Sequence, residues 1–137
     1  MPIESDTTIR DSLTTAKPIA VVGASNKPYR DANRIADLLI RAGYAVFPVN
    51  PAYSETNGVK CYPDLKSVPV PIDIVDVFRN PEAVDEVADE AIAVKAKTLW
   101  LQLGVVNEPA ARRAEAAGMQ VIMDHCIAVD LRRLIRA

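Results

Sequence analysis

The chain has 137 residues, of which half are apolar and a quarter are charged, and its formal net charge at pH 7 is −2. This length and composition predict one globular domain over 1–137 with a core of its own. The weakly acidic balance argues against nucleic acid as a partner, because non-specific binding to it needs a basic surface. No apolar run reaches the roughly 20 residues of a membrane span, so we also expect no membrane partner.

The cysteines and the N-terminal segment bear on the cellular compartment. Cys61 and Cys126 are the two cysteines, and their neighbours show neither the spacing of a metal site nor a secreted disulfide framework. The polar N-terminal segment lacks the basic start and apolar centre of a signal peptide. These features favour a reducing, cytoplasmic environment and predict no metal site.

Apolar runs and helical repeats alternate along the chain. Residues 1–16 predict a short leading helical segment. Five strands and four further helices follow, and glycines mark several helix ends. The predicted strands are 19–22, 44–49, 72–78, 98–103 and 119–123, and the predicted helices are 31–42, 81–95, 108–117 and 128–135.

This alternation predicts βαβ units and a parallel sheet. We therefore expect an α/β fold, a Rossmann-like doubly wound sheet of five parallel strands with helices on both faces and the strand order 3-2-1-4-5. In such folds ligands bind outside the carboxyl ends of the strands, near the point where the strand order reverses. The order predicted here places that point between the first and fourth strands.

The turn after the first strand has the composition of a phosphate site. Gly23, Ala24 and Ser25 are small enough to let a phosphate approach the backbone, and Lys27 and Arg30 add two positive charges. A helical pattern follows, whose unpaired N–H groups and dipole favour an anion. The match to the dinucleotide fingerprint G-x-G-x-x-G is poor, and the alternative is a plain strand-to-helix turn with Ser25 as the N-cap.

The ends of the next two strands leave their alternatives open. Asn50 stands where an NAD site usually places an acid for the ribose, which weakens the case for NAD, but the flanking prolines Pro48 and Pro51 equally describe a rigid turn. Phe78 and Arg79 follow the third strand, where a ligand tail would pass. Their alternative roles are a core aromatic residue and a solvent-facing cation.

His125 and Cys126 are the only adjacent residues with the chemistry of a nucleophile and its base. Neighbouring residues of a strand point to opposite faces, so a direct pair is not expected. No second histidine exists to complete a metal site. We expect a buried thiol and a histidine at the rim, and we predict no catalytic residue.

Several segments together resemble a known family. They are GASNKPYR (23–30), PVNP (48–51), DIVDVFRN (73–80), AKTLWLQLGVVNE (96–108) and MDHC (123–126). The chain is similar to the small stand-alone CoA-binding proteins, which resemble the CoA-binding domain of the succinyl-CoA synthetase α subunit. The family pattern commonly reads Asp-Arg-Cys where this chain has Asp124-His125-Cys126, which leaves the role of position 125 open.

The resemblance implies coenzyme A as the ligand and assigns residues to its parts. Gly23, Ala24, Ser25, Lys27 and Arg30 would hold the pyrophosphate. The adenosine would be bordered by Val49, Asn50 and Pro51, and the pantetheine arm by Phe78 and Arg79, with Gln102 and Gly104 at the far rim. The family brings no established reaction, and the ligase part of the synthetase has no counterpart in the sequence.

Three functions compete at this point. The first is a CoA- or acyl-CoA-binding module without chemistry of its own, acting as a monomer or homodimer with an unknown protein partner. The second is an acyl-CoA-processing enzyme with His125 as a general base. The third is an NAD(P)-binding redox sensor.

Overall fold

Five strands of the computed structural model, which describes residues 2–135, form one parallel sheet. Three residues of the predicted domain, Met1, Arg136 and Ala137, lie outside the described residues. Met1 also belongs to the predicted leading segment 1–16. The sheet strands are β1 (Pro18–Val22), β2 (Ala45–Val49), β5 (Ile74–Val77), β6 (Thr98–Leu101) and β7 (Gln120–Met123), while β3 (Glu55–Thr56) and β4 (Val59–Lys60) pair as a separate hairpin. The helices are α1 (Asp6–Thr15), α2 (Asp31–Arg41), α3 (Val84–Ala93), α4 (Glu108–Ala116) and α5 (Ile127–Leu134).

The predicted fold class is confirmed, because helices cover both faces of the parallel sheet. One apolar cluster joins the sheet to α3 and α4, and the other joins it to α1, α2 and α5. The strands β5 and β6 are buried along their whole length, as expected for strands covered on both faces. None of the helices within residues 2–135 is long and apolar enough to cross a bilayer.

The order of the strands differs from the predicted 3-2-1-4-5. The observed order is β2-β1-β5-β6-β7, so the third sheet strand along the chain pairs with the first strand, with Val21 opposite Asp76. The physical reason lies in Pro48 of β2, which has no N–H to donate and therefore suits an edge strand better than an interior one. The reversal of strand order, and with it the expected ligand position, falls between β1 and β5.

The element bounds also show what the periodicity missed. The helix predicted over 81–95 begins as a 3-10 turn at Pro81–Ala83 before α3. The hairpin β3–β4 was not predicted, although Asn57-Gly58 is a strong hairpin signal. Both residues have positive φ, 55° and 75°, which a type I′ turn requires. This hairpin lies beside the loop that follows β1.

Gly23 brings the carboxyl ends of β1 and β5 close together. Its φ is +90°, a conformation that residues with a side chain rarely adopt, and a Cβ at this position would lie 2.3 Å from the carbonyl oxygen of Phe78. The backbone N–H of Gly23 donates to the carbonyl of Val49, and the N–H of Phe78 donates to the carbonyl of Val22. The turn is thereby tied to both neighbouring strands.

We expect Gly23→Ala to destabilise the protein by about 3 kcal/mol, because the strained φ adds to a backbone clash that no rotamer relieves. Gly118 is the matched control: its φ is +95°, but nothing lies within 4 Å of a Cβ built there. Gly118→Ala should therefore cost only about 1 kcal/mol for the conformation. Urea unfolding of the two variants measures the difference, and equal losses would contradict the close approach.

Candidate functional site: two clefts at the carboxyl ends of the strands

The first cleft lies where β1 ends and α2 begins, and its volume is about 560 Å³. Seven of the twelve predicted site residues line it. Four residues that were not predicted complete the lining. The predicted members are Gly23, Ala24, Ser25, Lys27, Arg30, Asn50 and Phe78, and the others are Tyr29, Asp31, Ala32 and Tyr53.

Asparagine side chains hold the loop between β1 and α2. The amide of Asn50 donates to the carbonyl of Ala24 at 2.8 Å, and that of Asn33 donates to the carbonyl of Ser25 at 2.8 Å. Asn26 reaches the hairpin, where its amide donates to the carbonyl of Glu55 at 2.8 Å. The loop is therefore fixed before any ligand arrives, without a second or third glycine.

The free N–H groups of the cleft lie further along the chain than the sequence indicated. The N–H groups of Gly23 and Ala24 both donate to the carbonyl of Val49, at 3.0 and 3.3 Å, so they are already satisfied. Ser25 does not cap α2; its hydroxyl accepts from the N–H of Lys27. Helix α2 begins only at Asp31, with Arg30 as an N-cap that offers no side-chain acceptor. Asn33 already donates its N–H to the carbonyl of Arg30, which leaves the N–H groups of Asp31 and Ala32 without an acceptor within the helix, and both residues line the first cleft.

The electrostatics of the first cleft favour an anion. Lys27 and Arg30 are exposed and make no ion pair with any residue in 2–135, whereas the carboxylate of Asp31 is paired with Arg34. The guanidinium of Arg30 lies 5.7 Å above the ring centre of Tyr29. Two uncompensated cations therefore face the uncapped helix start, where the dipole adds a partial positive charge.

The side chain of Asn50 forms hydrogen bonds with the loop after β1 and with the turn after β2. Its amide nitrogen is used by Ala24, and its side-chain oxygen accepts from the N–H of Ala52 at 2.9 Å. The carbonyl of Asn50 also accepts the thiol of the buried Cys61 at 3.5 Å. The side chain therefore acts as a clamp between the ends of β1 and β2.

The second cleft, of about 670 Å³, lies between α2 and α5 at the carboxyl ends of β5 to β7. It shares Asp31 and Phe78 with the first cleft, so the two clefts adjoin at these residues. The predicted Arg79 and Gln102 line it. Gln102 is buried, and its side-chain oxygen accepts from the N–H of Ile127 at 3.1 Å, which anchors the start of α5.

Three predicted site residues line neither cleft. Val49 is buried in β2, and Pro51 is exposed in the turn after it. Gly104 is exposed, and its N–H donates to the carboxylate of Asp124 at 2.7 Å. That bond joins the loops after β6 and β7.

Comparison with known proteins places the chain in a family. Residues 17–132 match the model of a CoA binding domain. The chain belongs to the CoA-binding domain family. A structure described as a hypothetical protein from Pyrococcus horikoshii OT3 matches with a TM-score of 0.95 and 41% identity, over 98% of this chain and 96% of the other.

Two relatives differ in how much of their length the match covers. Uncharacterized protein YneT of Bacillus subtilis is 43% identical over 121 residues, which are 88% of this chain and 90% of the relative. Acetate–CoA ligase [ADP-forming] I of Archaeoglobus fulgidus is 28% identical over 127 residues, which are 85% of this chain but 18% of the ligase. The same domain thus matches both a protein of similar length and a small part of a much larger ligase.

His125 of this CoA-binding domain lies in a network that connects helices. Its Nδ1 atom is 2.7 Å from a carboxylate oxygen of Asp130, whose other oxygen accepts from Arg133 at 3.2 Å. Arg133 in turn donates two hydrogen bonds to Asp6 of α1. His125 lines neither cleft, whereas its neighbour Cys126 lines the second. The network therefore fixes α5 against α1, away from both clefts.

Asp76 is a buried carboxyl group without a partner. It lies on β5 between Val21 and Trp100 of the neighbouring strands, and neither of its oxygens has a hydrogen bond. Burial raises the pKa of Asp76 well above its ordinary value, because the charged form would lose its hydration. The residue lines neither cleft, so its protonated form belongs to the core.

We expect Asp76→Asn to make stability less dependent on pH. Above about pH 4 the unfolded chain releases the Asp76 proton while the folded chain keeps it, so the wild type loses up to about 1.4 kcal/mol per pH unit until the folded pKa is reached. The asparagine variant lacks this loss, and its stability relative to the wild type should rise as the pH rises from 4. Urea unfolding at a series of pH values measures the slope, and a constant difference would show that the folded carboxyl is ionised.

Proposed function

We propose that the protein binds coenzyme A or an acyl-CoA, with the pyrophosphate at the first cleft. The observation that carries this proposal is the convergence of Lys27, Arg30 and the uncapped start of α2 on one open cleft. A pyrophosphate there would accept hydrogen bonds from the first N–H groups of α2 and from both cations. Membership of the CoA-binding domain family supports the choice of ligand.

The proposed pose places the adenosine beside β2 and the hairpin. Tyr29 and Tyr53 line the first cleft and offer ring faces on which a base can stack. They take over much of the border that the sequence assigned to Val49 and Pro51, while Asn50 shapes it by clamping the loop. No acid lines the cleft near the end of β2 in the described structure, which fits CoA better than NAD.

The pantetheine arm then follows Phe78 into the second cleft. The ring of Phe78 lines both clefts, and Arg79 and Gln102 line the second. We propose Gly104 as part of the outer rim only. The acetate–CoA ligase among the relatives carries the domain within a much longer chain, so the proposal transfers CoA binding and leaves the ligase reaction aside.

We further propose that this domain has no catalytic activity of its own. The candidate base His125 is held by Asp130 and faces neither cleft. Within residues 2–135 no group of three or more histidine, cysteine or acidic side chains is placed to hold a metal ion. Binding and presentation of the ligand therefore fit the geometry better than acyl transfer.

Removing both cations of the first cleft should weaken CoA binding. We expect Lys27→Ala with Arg30→Ala to cost about 2–4 kcal/mol, because each charged hydrogen bond contributes about 1.5–3 kcal/mol before screening by salt. Isothermal calorimetry with CoA measures the loss. Lys66→Ala with Arg112→Ala is the matched control. It also removes one lysine and one arginine, but these two residues line neither cleft.

Thermal unfolding in the presence of CoA or NADH separates the competing ligands. We expect CoA, and not NADH, to raise the midpoint temperature of unfolding, since only a ligand that binds the folded state stabilises it. Unchanged CoA affinity in the cleft variant, or stabilisation by NADH alone, would refute the proposed function. Release of free thiol from acyl-CoA by the wild type would refute the absence of catalysis while leaving binding intact.

A further inference from the structure

The second cleft combines an apolar floor with a basic rim. We call its apolar lining residues, which come from α2, α5 and the loops after β5 and β6, the floor, and its arginines the rim. The single acid in its lining, Asp31, is already paired with Arg34. The apolar members are Ile35, Leu38, Phe78, Leu103, Val105 and Ala128.

Three arginines of this rim have no polar partner. Arg41, Arg79 and Arg132 line the second cleft, and none of their guanidinium groups makes a hydrogen bond or ion pair within the described part of the chain. The other arginines within residues 2–135 are bonded. Arg10 donates to the carbonyl of Leu134, and Arg34, which also lines the second cleft, is paired with a carboxylate, as are Arg112, Arg113 and Arg133. Arg30 of the first cleft, which contacts only the Tyr29 ring, completes the set of arginines in residues 2–135 without a polar bond. All four therefore lie at the two clefts.

Coenzyme A itself does not account for this charge. The pantetheine arm consists of amides, a hydroxyl and a thiol, and it is neutral. If the pyrophosphate and the 3′-phosphate on the ribose of the adenosine both lie at the first cleft, as the proposed pose places them, the part of CoA that enters the second cleft leaves its arginines without an anion. Guanidinium groups in such a position are matched by a carboxylate, which they bind through paired hydrogen bonds.

We propose that the second cleft receives the acyl chain of an acyl-CoA whose far end carries a carboxylate, that is, a dicarboxylic acid monothioester. This inference rests on the proposed function. The apolar floor packs against the methylene groups of the chain, and Arg41 and Arg132 at the rim bind the terminal carboxylate. A chain that ends in a methyl group fills the same floor and leaves the arginines unpaired.

The test compares two thioesters with four-carbon acyl chains, butyryl-CoA and succinyl-CoA, which differ in a terminal methyl or carboxylate. Calorimetry at low salt should show succinyl-CoA binding about fivefold more tightly, a modest factor because exposed ion pairs are partly screened. Arg41→Gln with Arg132→Gln should abolish the preference and leave the affinity for CoA unchanged. Lys66→Gln with Arg112→Gln is the control and should keep the preference.

The outcomes separate this inference from the proposed function. Equal binding of the two thioesters by a wild type that binds CoA overturns the inference and leaves the proposed function standing. A loss of affinity for CoA itself in the Arg41 and Arg132 variant also overturns it, since that would place the phosphates of CoA in the second cleft. Failure of the wild type to bind CoA at all overturns both.

Discussion

The contact between the backbone of Gly23 and the carbonyl of Phe78 determines the geometry on which both clefts depend. Because position 23 carries no Cβ, the ends of β1 and β5 approach closely enough for the chain after β1 to turn away across the sheet edge. The same contact fixes Phe78, whose side chain lines both clefts. A shift of this close approach would change the lining of the first and second clefts together.

The loop after β1, where we propose the phosphate site, is ordered without a glycine-rich fingerprint. Glycines allow a backbone to approach a phosphate, but they leave the loop to be ordered by the ligand. Here the amides of Asn26, Asn33 and Asn50 tie the loop to the hairpin, to α2 and to β2. The loop therefore loses its conformational entropy when the protein folds and not when a ligand binds. A ligand that enters the cleft meets hydrogen-bond donors that are already in place.

The sequence predicted the fold class well because buried strands and amphipathic helices have distinct periodicities. It did not predict the strand order, because the alternation of β and α is the same for several orders; the decisive signal was Pro48, whose missing N–H favours an edge. Lys27 and Arg30 could be predicted as candidate site residues because they directly follow the first strand. Tyr53 was not found, because it enters the cleft only through the fold of the segment between β2 and the hairpin. Likewise, no spacing rule brings Arg41, Arg79 and Arg132 to one rim from three separate segments.

The pattern of pairing among the charged side chains separates scaffold from site. Arg113 of α4 binds two carboxylates of α3, and Arg133 of α5 binds Asp6 of α1 and Asp130 of its own helix, so both charges hold the scaffold together. Of the arginines at the clefts, only Arg34 is paired with a carboxylate; Arg30, Arg41, Arg79 and Arg132 have no such partner within residues 2–135, although the chain as a whole is slightly acidic. Keeping these cations unpaired leaves a local positive field on an overall negative protein, which attracts an anionic ligand to one edge of the sheet. Selectivity then follows from where the negative charges of the ligand fall along the two clefts, since only groups that reach an unpaired cation gain from it.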